Sequence, residues 1–279
     1  MSQGIVAAFR TNRTSWIGLS IFLLLLVLAL IAPWIAPYDP VEQNVLNKLS
    51  GPSAEHWLGT DQFGRDILSR LLHGARYSLL IGFAATGFAM IIGSLIGMVA
   101  GYYGGRFDTV VMQIMDVLLA FPALILGLIV VAMLGPSLPN IILAIAITSV
   151  PSFARVARAP TLAVKEREFI EAGRSLGFSD IRILFVHILP NIAAEILVMF
   201  SLWTASSIRT EASLAFIGLG LKPPTPTWGG MIREGFENIL DSYWLALVPG
   251  VAILLVVFAL NLLGDGLRDA IDPKLKDEQ

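Results

Sequence analysis

Six apolar stretches, each of 18 to 24 residues, set the limits on what this chain can fold into: about 15–36, 78–101, 111–134, 138–155, 194–217 and 243–264. A helix rises ~1.5 Å per residue and the hydrocarbon core of a bilayer is ~30 Å thick, so about 20 mostly apolar residues make a crossing. Of the 279 residues, 56% are hydrophobic and 14% charged. Soluble domains carry roughly 25% charged residues, so disorder, coiled coil and collagen are excluded. A formal net charge of -2 gives no bias toward a polyanion and excludes a chain built to bind nucleic acid. The absence of cysteine removes disulfides, iron-sulfur clusters, thiolate zinc sites and cysteine nucleophiles. The sequence predicts an all-α polytopic membrane protein in a lipid bilayer.

Basic residues orient the spans. With the N-terminus inside, the cytoplasmic segments hold Arg10, Arg13 and Arg106, then Arg155, Arg158, Lys165, Arg167, Arg174 and Arg182 in one connection, and Arg268, Lys274 and Lys276 in the tail. The opposite side holds Lys48, Arg65, Arg70, Arg76, Lys222 and Arg233, giving twelve against six. Both termini are therefore expected in the cytoplasm, as an even span count requires. The first span is expected to be an uncleaved anchor. Its apolar run is about twice the length of a signal h-region, and Pro33 interrupts its one small-x-small site.

Gly93, Gly97 and Gly101 give the second span a smooth face for close helix packing, within the subunit or against another. In the long first outer loop, about 37–77, residues Ile67, Leu68, Leu71, Leu72 and Ala75 share one helical face, with Asp66, Ser69, Arg70, His73 and Arg76 opposite. This pattern predicts an amphipathic helix along the membrane interface. A second outer loop, LKPPTPTWGG, is expected to be stiff and non-helical.

Hydrolytic and redox catalysis find little support. The topology puts His187 on the other side of the membrane from His56 and His73, and a set of His56, His73, Asp61 and Asp66 matches no standard metal spacing. There is no G-x-S-x-G, H-E-x-x-H or G-x-x-x-x-G-K-[ST] sequence. Uphill transport driven by ATP would therefore need the nucleotide on another chain. Charges inside spans are costly, which singles out Asp116, Arg209 and Glu211, with Glu195 near a span end. Arg209 and Glu211 are two residues apart and point about 200° from each other on a helix. Asp116 with Arg209 is a candidate buried pair; a polar lining of a translocation path is the other reading.

The cytoplasmic connection reads VKEREFIEAGRSLGFSDIRILFVHILP over 164–190. Glu166, Phe169, Ile170, Gly173 and Leu176 suggest a first helix that stops at Gly177 in the left-handed conformation. Ser179 or Asp180 then caps a second helix, which Pro190 is expected to close. Such a helix-turn-helix exposes a short rigid knob suited to docking a cytoplasmic partner.

Glu171, Ala172, Gly173, Gly177, Leu189 and Pro190 resemble the EAA motif of bacterial ABC importer permeases, EAA-x3-G-x9-I-x-LP. The chain departs from it at Gly173, in place of the third alanine, and at His187, in place of the isoleucine. HILPN at 187–191 is similar to the dipeptide, oligopeptide and nickel branch. So are HWLGTDQFGRDILSRLLHGAR at 56–76, AGYYGGRFD at 100–108, EASLAFIGLG at 211–220, PPTPTWGGMI at 223–232 and FALNLLGDGLRDAIDP at 258–273. The whole resembles the C-type permease subunit of peptide-type ABC importers.

That resemblance implies a type I ABC importer fold with six transmembrane helices in the bacterial inner membrane. It implies a flanking helix and periplasmic loop at 1–76, a transport core at 77–266 and a cytoplasmic tail at 267–279. It implies as partners a paralogous permease, two cytoplasmic ABC ATPases and a periplasmic or lipid-anchored solute-binding protein. No cofactor is expected in this chain; ATP and magnesium belong to the ATPases. The coupling residues implied are Glu171, Ala172, Gly173, Gly177, Ser179, Asp180, Leu189 and Pro190. Di- or oligopeptides lead as substrate, with nickel chelates, glutathione, opines or sugars as alternatives. A proton-coupled carrier using Asp116, Arg209 and Glu211 is the rival of another class, and a membrane enzyme the least supported.

Overall fold

The computed structural model describes residues 13–271; Arg10, Lys274, Lys276 and the rest of the tail from 272 lie outside the described residues. Among the described residues nine α-helices follow in chain order: α1 (Arg13–Ile35), α2 (Ile67–Tyr103), α3 (Gly105–Ala120), α4 (Ala123–Leu134), α5 (Leu138–Val164), α6 (Glu168–Ser175), α7 (Asp180–Phe216), α8 (Trp228–Glu237) and α9 (Trp244–Ile271). Among the described residues there is no β-strand. Helices α1, α2, α5, α7 and α9 are each long and apolar enough to cross a membrane, and α3 with α4 pass the same test together across a 90° bend.

That bend corrects the straight third span expected at 111–134. Pro122 forces Phe121 out of the helical region, because the proline ring clashes with the backbone before it. Phe121 is extended at φ -83° and ψ 134°, and α4 starts afresh after Pro122. Neither half spans ~30 Å on its own at ~1.5 Å per residue.

The central pair is α2 with α5, and the glycines explain its closeness. A Cβ at Gly93 would stand 2.5 Å from the Val150 carbonyl oxygen, and one at Gly101 3.1 Å from that of Arg158. Gly97 lies closer still to the Ala154 carbonyl. The four-residue spacing on α2 thus matches 150, 154 and 158 on α5, and the smooth face packs within the subunit. Helix α5 itself runs to Val164, past the end expected at 155, which moves Arg155 and Arg158 from the loop onto the helix.

Apolar burial falls into separate cores. One core toward the cytoplasmic end joins Met98 and Tyr102 of α2, Phe153 and Ala157 of α5, Ile170 of α6, and Ile183, Ile188 and Ile192 of α7. A second core seats α1 and α9 on α2, and a third packs α2, α4, α5 and α7 through Ile81, Val131, Ile141 and Leu214.

The outer segment 67–76 does not lie along the interface. It is the first part of α2, which continues unbroken through the position where the flanking region was expected to meet the core. Asp66, Ser69 and Arg70 of its polar side are buried, because the preceding loop and α8 supply partners, while His73 is half-buried and Arg76 exposed. Asp61 accepts from the backbone N–H groups of Phe63 and Arg65 and from Arg65 Nε at 2.6 Å. Glu234 of α8 receives Arg65 at 2.8 Å and Arg70 at 2.9 Å. Asp66 caps α2 by accepting from Ser69 N at 2.8 Å and meets His56 Nδ1 at 3.0 Å. The second outer loop is non-helical only as far as Thr227, whose hydroxyl caps α8 by accepting from Gly230 N at 3.0 Å. The TW-GG end of that loop is therefore the first turn of α8.

Candidate functional site

The knob between α5 and α7 is built from its backbone. Gly177 has φ +78°, a conformation that costs an ordinary L-residue about 1–2 kcal/mol. It lets Phe178 N donate to Gly173 O at 3.0 Å and Gly177 N donate to Arg174 O at 2.9 Å, which satisfies the last carbonyls of α6. Ser179, rather than Asp180, then caps α7, its hydroxyl accepting from Arg182 N at 3.4 Å. The buried residues of α6 are Ile170 and Gly173, while Glu171, Ala172, Leu176 and Asp180 face outward. Leu176 and Ile181 are 75% and 71% exposed, an apolar surface at a membrane protein's polar end.

Four contacts fix the knob and its approach to the spans. Tyr102 and Tyr103, at the end of α2, both donate to the Asp180 carboxylate, at 2.7 Å and 3.1 Å. The Arg174 guanidinium lies 5.2 Å from the centre of the Tyr102 ring. Lys165 Nζ donates to Gly101 O at 2.9 Å, while Arg158 of α5 grips Asp108 of α3 with two bonds of 2.5 Å. The two tyrosines escaped the sequence reading; the signal available was their place in AGYYGG, at the end of a span and facing the same side as the knob.

Pro190 does not close the second helix. Residues Ile183–Ile188 take a wider π-helical turn, so α7 passes through Leu189 and Pro190 and continues to Phe216. A proline removes one N–H and crowds the carbonyl four residues back, and a π turn just before it relieves both demands. Knob and fifth span are thereby one element.

The charges expected to pair are not together. Asp116 of α3 binds Arg155 of α5, with Nη2 to Oδ1 at 2.5 Å, and not Arg209. The break at Phe121 and the length of α5 bring those two residues side by side. Glu211 is 1% exposed; its Oε2 accepts from Ser78 Oγ at 3.2 Å, and Ser78 Oγ accepts from Trp228 N at 3.1 Å. It ties α7 to α2 beside the start of α8. Arg209 is exposed and makes no side-chain ion pair or hydrogen bond among the described residues.

Beside the α3–α4 break lies a cavity of about 340 Å³, in the middle of the spans. Trp203, Ser206, Ser207 and Thr210 of α7 face Thr148, Ser149 and Ser152 of α5, and residues around the break, Phe121 and Pro122 among them, complete the wall. No sequence signal marked these hydroxyls, since Ser and Thr are common in spans and bind their own helix. Among the described residues no group of three His, Asp or Glu side chains is placed to hold a metal.

Residues 93–277 match the family described as "Binding-protein-dependent transport system inner membrane component", and residues 1–52 match the "N-terminal TM domain of oligopeptide transport permease C". The chain is 45% identical over 267 residues to the dipeptide transport system permease protein DppC of Alkalihalophilus pseudofirmus, covering 96% of this chain and 88% of that one. It is 45% identical to the di/tripeptide permease DppC of Pseudomonas aeruginosa, covering 97% of this chain and 91% of that one. It is 48% identical to the glutathione permease GsiD of Pectobacterium atrosepticum, covering 91% and 85%. In fold it resembles a chain of the inward-facing MetNI methionine ABC transporter, with a TM-score of 0.59 at 17% identity, covering 74% of this chain and 98% of that one. An all-helical bundle of membrane-crossing length, the type I importer fold and the matched residues agree: the chain is a multi-pass transport permease belonging to the family of binding-protein-dependent transport system inner membrane components.

Proposed function

We propose that this chain forms half of the translocation path of an ATP-driven importer for di- or oligopeptides in the bacterial inner membrane. A paralogous permease supplies the other half, two cytoplasmic ABC ATPases hold ATP and magnesium, and an external binding protein delivers the peptide. Residues 77–266 act as the transport core, with 1–76 as its flank and 267–279 as a tail.

The observation that carries this reading is the knob. It is rigid, outwardly apolar at Leu176 and Ile181, and continuous with a membrane-crossing helix. Closure of the ATPases on ATP pulls such a knob, and α7 transmits the displacement to the path. Glu171, Gly177 and the Ser179–Asp180 turn act as the coupling surface. This chain supplies lever and wall, and its partners supply hydrolysis. The peptide assignment draws on the relatives named for dipeptides and di/tripeptides. The relative named for glutathione supports the same class of small carboxylate-bearing cargo.

Proteoliposomes holding the complete complex test it. Labelled dipeptide should enter only with ATP and the loaded binding protein, and should persist when a protonophore collapses the proton gradient. Uptake that survives without ATP and stops with the protonophore would establish the proton-coupled carrier instead. Isolating the cognate binding protein and identifying its co-purifying ligand decides between peptides and nickel chelates, opines or sugars.

A further inference from the structure

We propose that the outer-face cavity between the end of α7 and α8 is a receiving site for the terminal carboxylate of the cargo peptide, with Arg233 as its chief ligand and Lys222 in support. The inference rests on the peptide-importer reading and gives the peptide a first stop on this chain. The cavity holds about 470 Å³, within the ~300–1,000 Å³ of small-molecule sites. Its wall includes Ala215 of α7, while Thr210, five residues earlier, lines the cavity in the middle of the spans. At ~1.5 Å per residue the outer cavity stands ~7.5 Å further out along the same helix. It lies on the approach to the membrane interior.

Three observations make this cavity an anion site. First, its wall carries Arg70, Lys222 and Arg233 against Glu234 and Glu237, one cation in excess. Glu234 is already neutralised. Arg70 Nη2 donates to both its oxygens, at 3.1 Å and 2.9 Å, and Arg65 Nη2 adds a bond of 2.8 Å. Second, Arg233 is only half engaged. Its Nε donates to Glu237 Oε1 at 3.0 Å, and its two Nη groups make no hydrogen bond among the described residues. The guanidinium lies over Gly218, another residue of the cavity wall, where a Cβ would overlap Nη1. Gly218, at φ +98°, thus leaves the guanidinium its place at the wall. Two free Nη groups form the fork that grips a carboxylate with parallel bonds. Third, Lys222 is exposed and makes no ion pair or side-chain hydrogen bond among the described residues, so its ammonium is available as a second point charge. The wall is otherwise apolar at Pro136, Leu221 and Pro223, groups that read no particular side chain. The site is selective for a free C-terminus and tolerant of peptide sequence.

The test uses the complete complex in proteoliposomes, with trialanine and trialanine amide, at saturating binding protein that has been shown to load both. Wild type should carry the free acid faster than the amide. An ion pair at a half-exposed site discriminates by about fivefold. Arg233→Gln should therefore slow trialanine by about that factor and leave the amide within about twofold. Lys222→Gln should have the same selectivity and a smaller effect. Glu237→Gln keeps an acceptor for Arg233 Nε but removes the competing charge, so it should widen the preference for the acid. Co-purification of all subunits confirms that the variants assemble. If Arg233→Gln slows acid and amide equally, the arginine meets the binding protein or a structural partner, and the proposal is wrong while the peptide reading stands. If Glu237→Gln abolishes the preference as Arg233→Gln does, Arg233 acts only through its pair with Glu237 and the proposal again falls. Equal wild-type rates for acid and amide overturn it as well. A wild-type complex that moves neither probe overturns the peptide reading and the receiving site with it.

Discussion

The Phe178 ring lies flat on the His187 imidazole, with centroids 5.6 Å apart and 9° between the planes. This contact joins the two positions at which the knob departs from the importer motif. A Cβ at Gly173 would stand 2.9 Å from Phe178 Cδ2, so the missing alanine methyl is the space the ring occupies. The imidazole in place of isoleucine supplies the flat face, and the Arg182 guanidinium lies 4.1 Å from the ring centroid. The two departures are one substitution in packing terms.

Gly173→Ala, which restores the motif residue, should therefore harm this chain. Alanine gains up to about 1 kcal/mol in helix propensity, but overpacking a confined ring costs about 1–3 kcal/mol. The ring is packed by His187 and Arg182 and must shift to admit the methyl, so the expected net effect is a loss of about 1 kcal/mol. Gly173→Ala with Phe178→Leu should recover it. Thermal unfolding of the purified complex and substrate-stimulated ATPase activity check this; a single Gly173→Ala chain as stable and active as wild type refutes the packing account.

At Gly177 the cost is in the backbone alone, because a Cβ there would meet nothing within 4 Å. Gly177→Val should strain the turn by about 1–2 kcal/mol, leave the spans inserted and the paralogous permease bound, and uncouple ATP hydrolysis from uptake. Gly177→Asn should do much less damage, since asparagine visits the left-handed region more readily. Equal loss of coupling in both variants would place the fault in docking contact rather than in the turn.

What the sequence revealed and concealed follows from the range of the interactions. Apolar runs declare a span without tertiary context, and the helix stop at Gly177 needed only local backbone chemistry. The break at Phe121 was also local, but a long apolar window carried the reading straight through Pro122. The partners of Arg70 were beyond reach, because Glu234 lies 164 residues away on a helix whose position depends on the whole outer face. The Asp116 partner was misassigned for the same reason: pairing depends on which helices are neighbours, and Arg155 had been counted as loop. Local patterns therefore found the helix-turn-helix, while the side-chain pairings required the assembled bundle.

Two phenols on one carboxylate make Asp180 the fastening point of the knob. Tyr102→Phe with Tyr103→Phe should keep assembly and basal ATPase activity, because the ring packing survives. It should raise the ATP consumed per peptide transported several-fold, as hydrogen bonds to an ionised group are the stronger kind. Each single change should have a smaller effect, with Tyr102 the more sensitive because it is buried and Tyr103 is exposed. Asp180→Asn should resemble the double change. An unaltered ratio of ATP to peptide would show that α2 does not move with the knob.

Asp116 and Arg155 meet at 2.5 Å with side chains 54–55% exposed in the isolated chain, on the side of the cavity nearer the knob. Lipid is an unfavourable surrounding for this ion pair, so in the proposed complex its open side would face the path or the second permease. A lone charge in a span costs up to about 2.5–3.5 kcal/mol, less where water in the path screens it. Asp116→Ala should impair assembly or transport more than Asp116→Ala with Arg155→Ala, because the double change leaves no unpaired charge. Asp116→Ala combined with Arg209→Ala should instead be additive, as residues that do not touch are expected to be. Complex yield and initial uptake rate, measured for the singles and both doubles, separate the pairs. Non-additivity confined to Arg209 would reverse the assignment and return Asp116 to the partner first expected from the sequence.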